Sequence, residues 1–239
     1  MTNQAFDDVR ERDDLPPPRP GGTRAVRPRD AATLILIRRD GPGPRVMMGR
    51  RHGSHNFMPD KWVFPGGRID RSDFTAPYAT DLRPEVASRL AKTAPPARAR
   101  ALALAAVRET FEEVGLLLAR PAPARPGSGP WREFLAQGAL ADLAALDFVA
   151  RAVTPAISPK RFDARFFMAE AEHLISFERQ ADCGELDEIA WFELEEALGL
   201  DLPSVTRFVL REIPLRLADP TRPAPSLRFA RGRQQLVHL

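Results

Sequence analysis

The chain has 239 residues, of which 44% are hydrophobic, and this predicts one large globular domain with a buried core. Lys and Arg number 35 and Asp and Glu number 32, so the formal charge of +3 is too small to indicate a nucleic-acid-binding protein. A single cysteine, Cys183, excludes a disulfide framework and a zinc site made of several thiolates. No apolar window reaches the roughly 18 residues of a membrane-spanning helix, and the polar first residues do not resemble a secretory signal. We therefore expect a cytoplasmic protein that does not bind membranes.

The N-terminal part of the chain predicts an arm followed by a small sheet. Residues 1–28 combine Asp, Arg, Gly and Pro with almost no apolar periodicity, so we expect a disordered arm there and the folded domain over residues 29–239. An aliphatic run predicts the first buried strand, and a Gly-Pro-Gly-Pro segment predicts a turn into a returning strand. The strands predicted in this region are residues 31–37, 45–50 and 62–64.

The middle of the chain combines an insertion with a long helix. Residues 74–100 carry four prolines around a short helical stretch, and we interpret them as an irregular insertion. Residues 97–114 are rich in Ala and Leu and contain no Gly or Pro, which predicts a helix that ends at Gly115. Further along, strands are predicted at 116–118, 147–153, 164–170 and 185–192, one or two short helices within 131–146, and helices at 193–198 and 204–217.

Three glutamates at the end of the long predicted helix are the strongest sign of chemistry. Glu109, Glu112 and Glu113 are spaced i, i+3 and i+4, so their carboxylates project from one face. Like charges at a helix C-terminus repel one another and oppose the helix dipole, at a cost of about 0.3–1 kcal/mol each, unless a cation neutralises them. Hard oxygen ligands of this kind favour Mg²⁺ or Mn²⁺. Arg108 lies four residues before Glu112 and is predicted to orient a carboxylate.

A glycine turn upstream of the helix decides between two interpretations of this cluster. An isolated E-x-x-E-E run is usually a solvated helix end. Here Gly66 and Gly67 follow a predicted strand and Pro65, and two glycines let the backbone approach a ligand closely and expose a carbonyl oxygen. The combination of the glycine turn with Arg-Glu-x-x-Glu-Glu-x-Gly therefore favours a metal site.

Together these motifs resemble the Nudix box, G-x5-E-x7-R-E-U-x-E-E-x-G-U. Gly67 begins the match, and residues 108–115 contain the complete helical half. Asp73 stands where the family usually has Glu, and about 27 residues are inserted between it and Arg108. The divided box therefore predicts a Nudix protein with an insertion inside its signature.

Further segments are similar to one branch of that family, the peroxisomal coenzyme A diphosphatases of animals and their bacterial relatives. These segments are Phe-Met-Pro at 57–59, Val-Phe-Pro-Gly-Gly at 63–67 and Arg-Phe-Asp-x-x-Phe-Phe at 161–167. The resemblance covers about residues 31–210, although only the box motifs are strongly specific.

The resemblance implies an α/β fold, namely a Nudix α/β/α sandwich with a mixed sheet, the box insertion and extra helices. It also implies that Mg²⁺ or Mn²⁺ binds the box carboxylates and bridges a substrate diphosphate. Carried over to this chain, the metal ligands are the Gly67 carbonyl, Glu109, Glu112 and Glu113, and the catalytic residues are Arg108, Glu109 and Glu112. The role of Asp73 as a ligand stays open, because its side chain is shorter and the insertion separates it from the helix.

The general base stays open as well. The candidates are Glu112, Glu170, Glu172 and Glu185. Glu170 ends a predicted strand, where an ordinary solvated strand end is the more common interpretation. Glu185 begins a short acidic segment that is more typical of an exposed turn.

On the substrate side, the predicted binding residues are Arg50, Arg51, Arg68, Arg161 and Phe162. The first three flank the glycine turn, where a diphosphate would lie. Phe162 and its neighbours would form a wall for an adenine or acyl group, with sheet core as the alternative interpretation. His52 and His55 lack nearby thiolates, so we interpret them as polar loop residues rather than zinc ligands.

The first function hypothesis is metal-dependent hydrolysis of the diphosphate linkage in coenzyme A or acyl-CoA, which gives 3′,5′-ADP and 4′-phosphopantetheine or its acylated form. The second is hydrolysis of another nucleoside diphosphate derivative, such as ADP-ribose or a dinucleotide. The third is a non-catalytic module that senses a nucleotide. The expected partner is a small-molecule diphosphate rather than nucleic acid or a membrane, and the oligomeric state stays open, with a homodimer among the alternatives.

Overall fold

A mixed β-sheet forms the centre of the fold in the computed structural model, which describes residues 26–53, 59–178, 186–230 and 233–239. The strands are β1 (Arg29–Arg38), β2 (Arg45–Arg51), β3 (Trp62–Val63), β4 (Gly66–Arg68), β5 (Tyr78–Thr80), β6 (Ala119–Pro121), β7 (Ala139–Asp142), β8 (Asp147–Val153), β9 (Phe162–Glu170), β10 (Leu186–Glu193), β11 (Pro225–Ala230) and β12 (Arg233–His238). The helices are α1 (Pro84–Ala91), α2 (Pro96–Val114), α3 (Trp131–Ala136), α4 (Leu194–Gly199) and α5 (Ser204–Ala218). The predicted N-terminal arm lies outside the described residues as far as residue 25.

The main sheet has the strand order β10-β2-β1-β9-β8-β11-β12, with β3 beside β2 and β4 beside β1. β1 runs parallel to β9, with Leu34 opposite Phe167, and β11 runs parallel to β8. The other pairs in this sheet are antiparallel. The sheet is therefore mixed, as expected from the sequence.

Strand β1 lies between two hydrophobic cores. Leu34 and Leu36 pack in the core that contains the buried face of α2. Ile35 and Ile37 face the opposite core, which contains Phe208 of α5. Because successive side chains of a strand point to opposite faces, one aliphatic run supplies both cores. Helices cover both faces of the sheet, and the predicted α/β/α sandwich is confirmed.

The short helical stretch expected within the insertion at residues 74–100 is present as α1, but the rest of the insertion is more regular than we expected. The insertion contains β5, α1 and the first turn of α2. β5 pairs in parallel with β7, and together with β6 these strands form a second, smaller sheet. Val86 and Leu90 of α1 are fully buried. The insertion therefore contributes to the core of the domain.

Several predicted elements differ from the structure. The strand expected at 116–118 lies at Ala119–Pro121, and Leu118 itself forms an isolated bridge to Leu174. The one or two short helices expected within 131–146 are α3 and a 3-10 turn at Leu143–Ala145, but the strand β7, which was not predicted, separates them after Gly138 adopts a positive φ of 68°. The C-terminal hairpin β11–β12 was not predicted.

None of the helices in the described ranges is both long and apolar enough to cross a membrane. The cytoplasmic location stays a prediction.

Candidate active site

Helix α2 carries the candidate site on its last two turns. The helix ends as predicted at Gly115, whose φ of 71° is left-handed and whose N–H donates to the carbonyl of Phe111. Apolar residues of α2 pack against the main sheet, so the helix is fixed while its last turns project toward the edge of β4. The three glutamates therefore lie on a rigid element.

Arg108 is the centre of a buried network at this end of the helix. Its side chain is 3% exposed, and all five of its N–H groups are used. Nε and Nη2 donate to the two carboxylate oxygens of Asp73 at 2.9 and 3.0 Å. Nη1 donates to Glu109 and Glu112 at 2.8 and 2.7 Å, and Nη2 also donates to the carbonyl of Arg68 at 3.0 Å. Burial lowers the pKa of Arg108, but the three carboxylates outweigh burial and raise it above the ordinary value.

Asp73 is fully buried and is not placed as a metal ligand. Its Oδ1 accepts from Arg108 and from Nε1 of Trp131 at 2.9 Å, and its Oδ2 accepts from Arg108 and from the N–H of Asp70 at 2.7 Å. Both oxygens are thus saturated by donors from the protein. The structure assigns Asp73 to holding Arg108, which in turn holds Glu109 and Glu112.

The glycine turn lies directly against the glutamates. The N–H of Gly66 donates to Oε2 of Glu113 at 2.8 Å. At Gly67 an added Cβ would lie 2.3 Å from the carboxylate carbon of Glu109, so a side chain at this position would overlap the glutamate. Glycine at position 67 therefore lets β4 approach α2 without displacing the carboxylate of Glu109.

Glu112 is the most accessible of the three carboxylates, with a side chain 36% exposed. Burial raises its pKa to about 6, an effect that Arg108 opposes and the neighbouring Glu109 reinforces. A raised pKa of this kind is a property that proton-transfer groups share.

In the part of the chain that the structure describes, no three Asp, Glu, His or Cys side chains are arranged to hold a metal ion. Glu109 and Glu112 converge on one nitrogen of Arg108, whereas Glu113 turns an oxygen to the backbone of Gly66. The types of donor still fit a hard divalent cation, because the carboxylates of Glu109 and Glu113 lie against the glycine turn and line the same cavity. The metal site on Gly67, Glu109, Glu112 and Glu113 stays a prediction.

Two cavities meet at this point. The apolar groove, about 770 Å³ in volume, reaches from Glu109 and Glu113 across β9 to the start of α5 and β11, and its apolar wall consists of Phe64, Phe166, Val205, Leu227 and Phe229. The arginine cavity, about 720 Å³ in volume, is defined by Arg27, Arg29, Arg68, Arg98 and Phe74. Arg29, Arg68 and Glu109 line both. A ligand at the glutamates can therefore extend to either side.

The predicted substrate-binding residues divide between two places. Arg51, Arg68, Arg161 and Phe162 line the apolar groove. Arg50 does not line it, because alternation along β2 turns its side chain toward Glu188 of β10, 3.5 Å away. The structure therefore brings four of the five predicted residues to the groove.

The remaining carboxylate and histidine candidates lie elsewhere. Glu170 ends β9 and binds Arg39 at 2.7 Å, and neither it nor Glu172 lines one of the two cavities. His52 lies 3.6 Å from Asp187. Glu185 and His55 fall outside the described residues.

Sequence reasoning missed Trp131 and the C-terminal wall of the groove. The bond from Trp131 to Asp73 has no sequence signature, because 58 residues separate the two. Leu227 and Phe229 lie on β11, where Pro-rich flanking sequence predicts only a loop.

No protein-family model matches the chain. It is 31% identical over 134 residues to acyl-coenzyme A diphosphatase NUDT19 of Gallus gallus, covering 43% of this chain and 35% of that protein. It is 27% identical over 184 residues to putative nudix hydrolase 7 of Caenorhabditis elegans, covering 71% of this chain and 53% of that protein. The chain thus spans about half or less of the length of these relatives.

A solved structure extends the comparison. The crystal structure of a Nudix hydrolase from Alicyclobacillus acidocaldarius superposes with a TM-score of 0.60 at 29% identity, covering 78% of this chain and 90% of that one. The chain is thus similar to Nudix hydrolases in both sequence and fold.

Proposed function

We propose that this protein is a metal-dependent diphosphohydrolase that cleaves coenzyme A or acyl-CoA into 3′,5′-ADP and 4′-phosphopantetheine or its acylated form. One observation carries the proposal: Arg108 holds Glu109 and Glu112 together beside Gly67, where the two cavities meet. The similarity to an acyl-coenzyme A diphosphatase supports the choice of substrate. The apolar groove supports it too, since an aliphatic arm needs such a wall beside the reacting diphosphate.

In this proposal Glu109, Glu112, Glu113 and the Gly67 carbonyl hold Mg²⁺ or Mn²⁺. When bound, a divalent metal neutralises the diphosphate and lowers the pKa of a coordinated water. Hydrolysis adds the water oxygen to one phosphorus, breaks the bridging P–O bond and leaves two phosphate monoesters. Glu112 is the general-base candidate that shares Arg108 with Glu109, although Glu112 itself lines neither cavity. Arg51 and Arg68 line the groove together with Glu109 and Glu113, where they would balance phosphate charge.

The second candidate is hydrolysis of another nucleoside diphosphate derivative, such as ADP-ribose or a dinucleotide. The observation that favours it is the polar lining of the arginine cavity, because the ribose or the second nucleoside of such a substrate would fit a polar cavity beside the diphosphate. A nucleotide-sensing module without turnover is the third alternative.

The deciding experiment is a panel of coenzyme A, an acyl-CoA, ADP-ribose and a dinucleotide, assayed with Mg²⁺ or Mn²⁺ and with identification of both products. We expect turnover of coenzyme A or its thioester to exceed that of the other compounds. Glu109→Gln and Glu112→Gln should each lower turnover at least about 100-fold, because loss of a metal ligand removes several kcal/mol of transition-state stabilisation.

Glu195→Gln, an exposed residue of α4, is the matched control and should retain full activity. Inert coenzyme A beside rapid hydrolysis of ADP-ribose would move the assignment to the second candidate. Nucleotide binding without turnover of any compound would support the sensing module.

A further inference from the structure

The arginine cavity adjoins the apolar groove, and the two share the lining residues Arg29, Arg68 and Glu109. It is polar, in contrast to the groove, and its lining brings together side chains from β1, the glycine strand β4 and the insertion. Arg98 comes from the first turn of α2 and Phe74 from the 3-10 turn Arg71–Phe74. Both of these residues belong to the insertion.

Positive charge prevails in this cavity. The acidic residues Asp30, Asp70, Glu109 and Asp163 also face it, but each is held by other partners: Asp30 by Arg98 and Arg165, Asp70 by Ser72, Glu109 by Arg108, and Asp163 by Arg151 and Arg165. By contrast, the exposed guanidinium groups of Arg27, Arg29 and Arg68 form no ion pair with a carboxylate within the described residues. They are available to an anionic ligand.

Phe74 adds an aromatic surface whose position is fixed. Its side chain is 51% exposed although it is large and apolar. Its neighbour Asp73 is fully buried and bonded to Arg108, so Phe74 stands at a set position relative to the glutamates. Aromatic rings beside cationic groups are the usual surfaces on which bases stack.

We propose that the arginine cavity is the subsite for a nucleotide that carries an additional phosphate monoester. The base stacks on Phe74, and Arg27, Arg29 and Arg98 contact the additional phosphate. The inference rests on the proposed function in that the cleaved diphosphate lies at Glu109, between the two cavities. The aliphatic arm of the same substrate then occupies the apolar groove.

This assignment gives the box insertion a role. A continuous box would lack both Phe74 and Arg98, so the insertion supplies the ring and one of the cations of the subsite. Shape alone would not select a phosphate, whereas three guanidinium groups discriminate strongly between a phosphate and a hydroxyl.

Equilibrium binding tests the subsite without relying on turnover. The probes are 3′,5′-ADP and 5′-AMP, which differ by one phosphate monoester, and each is titrated calorimetrically into the 239-residue chain in the presence of EDTA. The wild-type protein should bind 3′,5′-ADP at least about 10-fold more tightly, and Arg27→Gln combined with Arg98→Gln should reduce this ratio to about threefold or less. Phe74→Ala should weaken the binding of both nucleotides about 5-fold or more and leave the ratio of the two affinities unchanged.

The matched controls are Arg125→Gln and Phe177→Ala, which remove an exposed arginine and an exposed phenylalanine that line neither cavity. Both should bind as the wild type does. Because Arg98 pairs with Asp30 at 3.3 Å, the single variant Arg27→Gln, at an exposed position, keeps the test valid if the double variant unfolds.

Three results would overturn the subsite. The wild type could bind the two nucleotides with equal affinity, or both arginine variants could keep the wild-type ratio of the two affinities. The third is that Arg161→Gln, rather than the arginine variants, abolishes the preference for 3′,5′-ADP. The last result would place the phosphate in the apolar groove. If the wild-type protein prefers 3′,5′-ADP to 5′-AMP as expected but hydrolyses no diphosphate, the proposed function is refuted and the subsite is still supported.

Discussion

Asp73 and Arg108 form a two-point ion pair that is buried from solvent, although 35 residues separate them. The pair joins the two halves of the divided box across the insertion. Asp73 belongs to the short turn after β4, and Arg108 belongs to the helix that carries the glutamates. The carboxylate therefore acts on the site through Arg108 rather than by touching a ligand.

Removing the Asp73 carboxylate should strongly destabilise the fold. Asp73→Asn leaves Arg108 buried with one charge partner fewer, and breaking a buried pair costs about 3–5 kcal/mol. Urea denaturation measures the change. Asp81→Asn is the control, because Asp81 pairs with Arg100 at the surface and exposed pairs contribute about 0–1 kcal/mol. Equal losses in the two variants would contradict the buried role.

Replacing each of the two glycines of the turn by alanine should have a different effect, one on the stability of the fold and the other on metal affinity. At Gly66 the new Cβ would lie 2.5 Å from the backbone carbonyl of Ala32, which cannot move without breaking β1, so Gly66→Ala should lower stability by more than about 2 kcal/mol. At Gly67 the obstacle is the side chain of Glu109, which can rotate away. Gly67→Ala should therefore fold but lose divalent-metal affinity.

Thermal unfolding with and without Mn²⁺ separates the two effects. Gly67→Ala should unfold near the wild-type temperature without metal and gain less stabilisation when metal is added. If Mn²⁺ stabilises Gly67→Ala as much as it stabilises the wild type, Glu109 is not a metal ligand.

The sequence predicted the helical half of the site because its signals are local. The i, i+3, i+4 spacing of Glu109, Glu112 and Glu113 and the terminating Gly115 lie within one helix, and the aliphatic pattern of β1 was equally readable. The role of Asp73 was not predictable, because its partners arrive from α2 and α3. Long-range pairings of this kind, like the β11–β12 hairpin, depend on tertiary packing that no short window contains.

Trp131 should stabilise the protein through a single hydrogen bond to Asp73. Trp131→Phe keeps most of the buried ring and removes the Nε1 donor, and a lost hydrogen bond to a charged group costs about 1.5–3 kcal/mol. Denaturant unfolding measures it. Trp191→Phe, at a partly exposed position, is the control and should cost less than about 1 kcal/mol. If Trp131→Phe lowers the free energy of unfolding less than Trp191→Phe does, the hydrogen bond from Trp131 to Asp73 does not stabilise the fold.

The second sheet should be a site of acid sensitivity. Burial raises the pKa of Asp142, but hydrogen bonds from Thr80 and Arg120 outweigh burial and hold that pKa below its usual range. A carboxylate whose pKa is lower in the folded state binds protons less readily than in the unfolded chain, so its contribution is complete at neutral pH. The contribution is lost as pH falls below about 4, where the unfolded chain takes up the proton first.

Asp142→Asn should therefore flatten the decline of unfolding free energy between about pH 4 and pH 2, relative to the wild type. Because Asp142 ties β7 to Thr80 of the insertion, the same variant should also lower stability at pH 7. Glu133→Gln, at an exposed position of α3, serves as the control and should retain the wild-type acid profile. An Asp142→Asn profile parallel to that of the wild type would show that the acid response originates at other carboxylates.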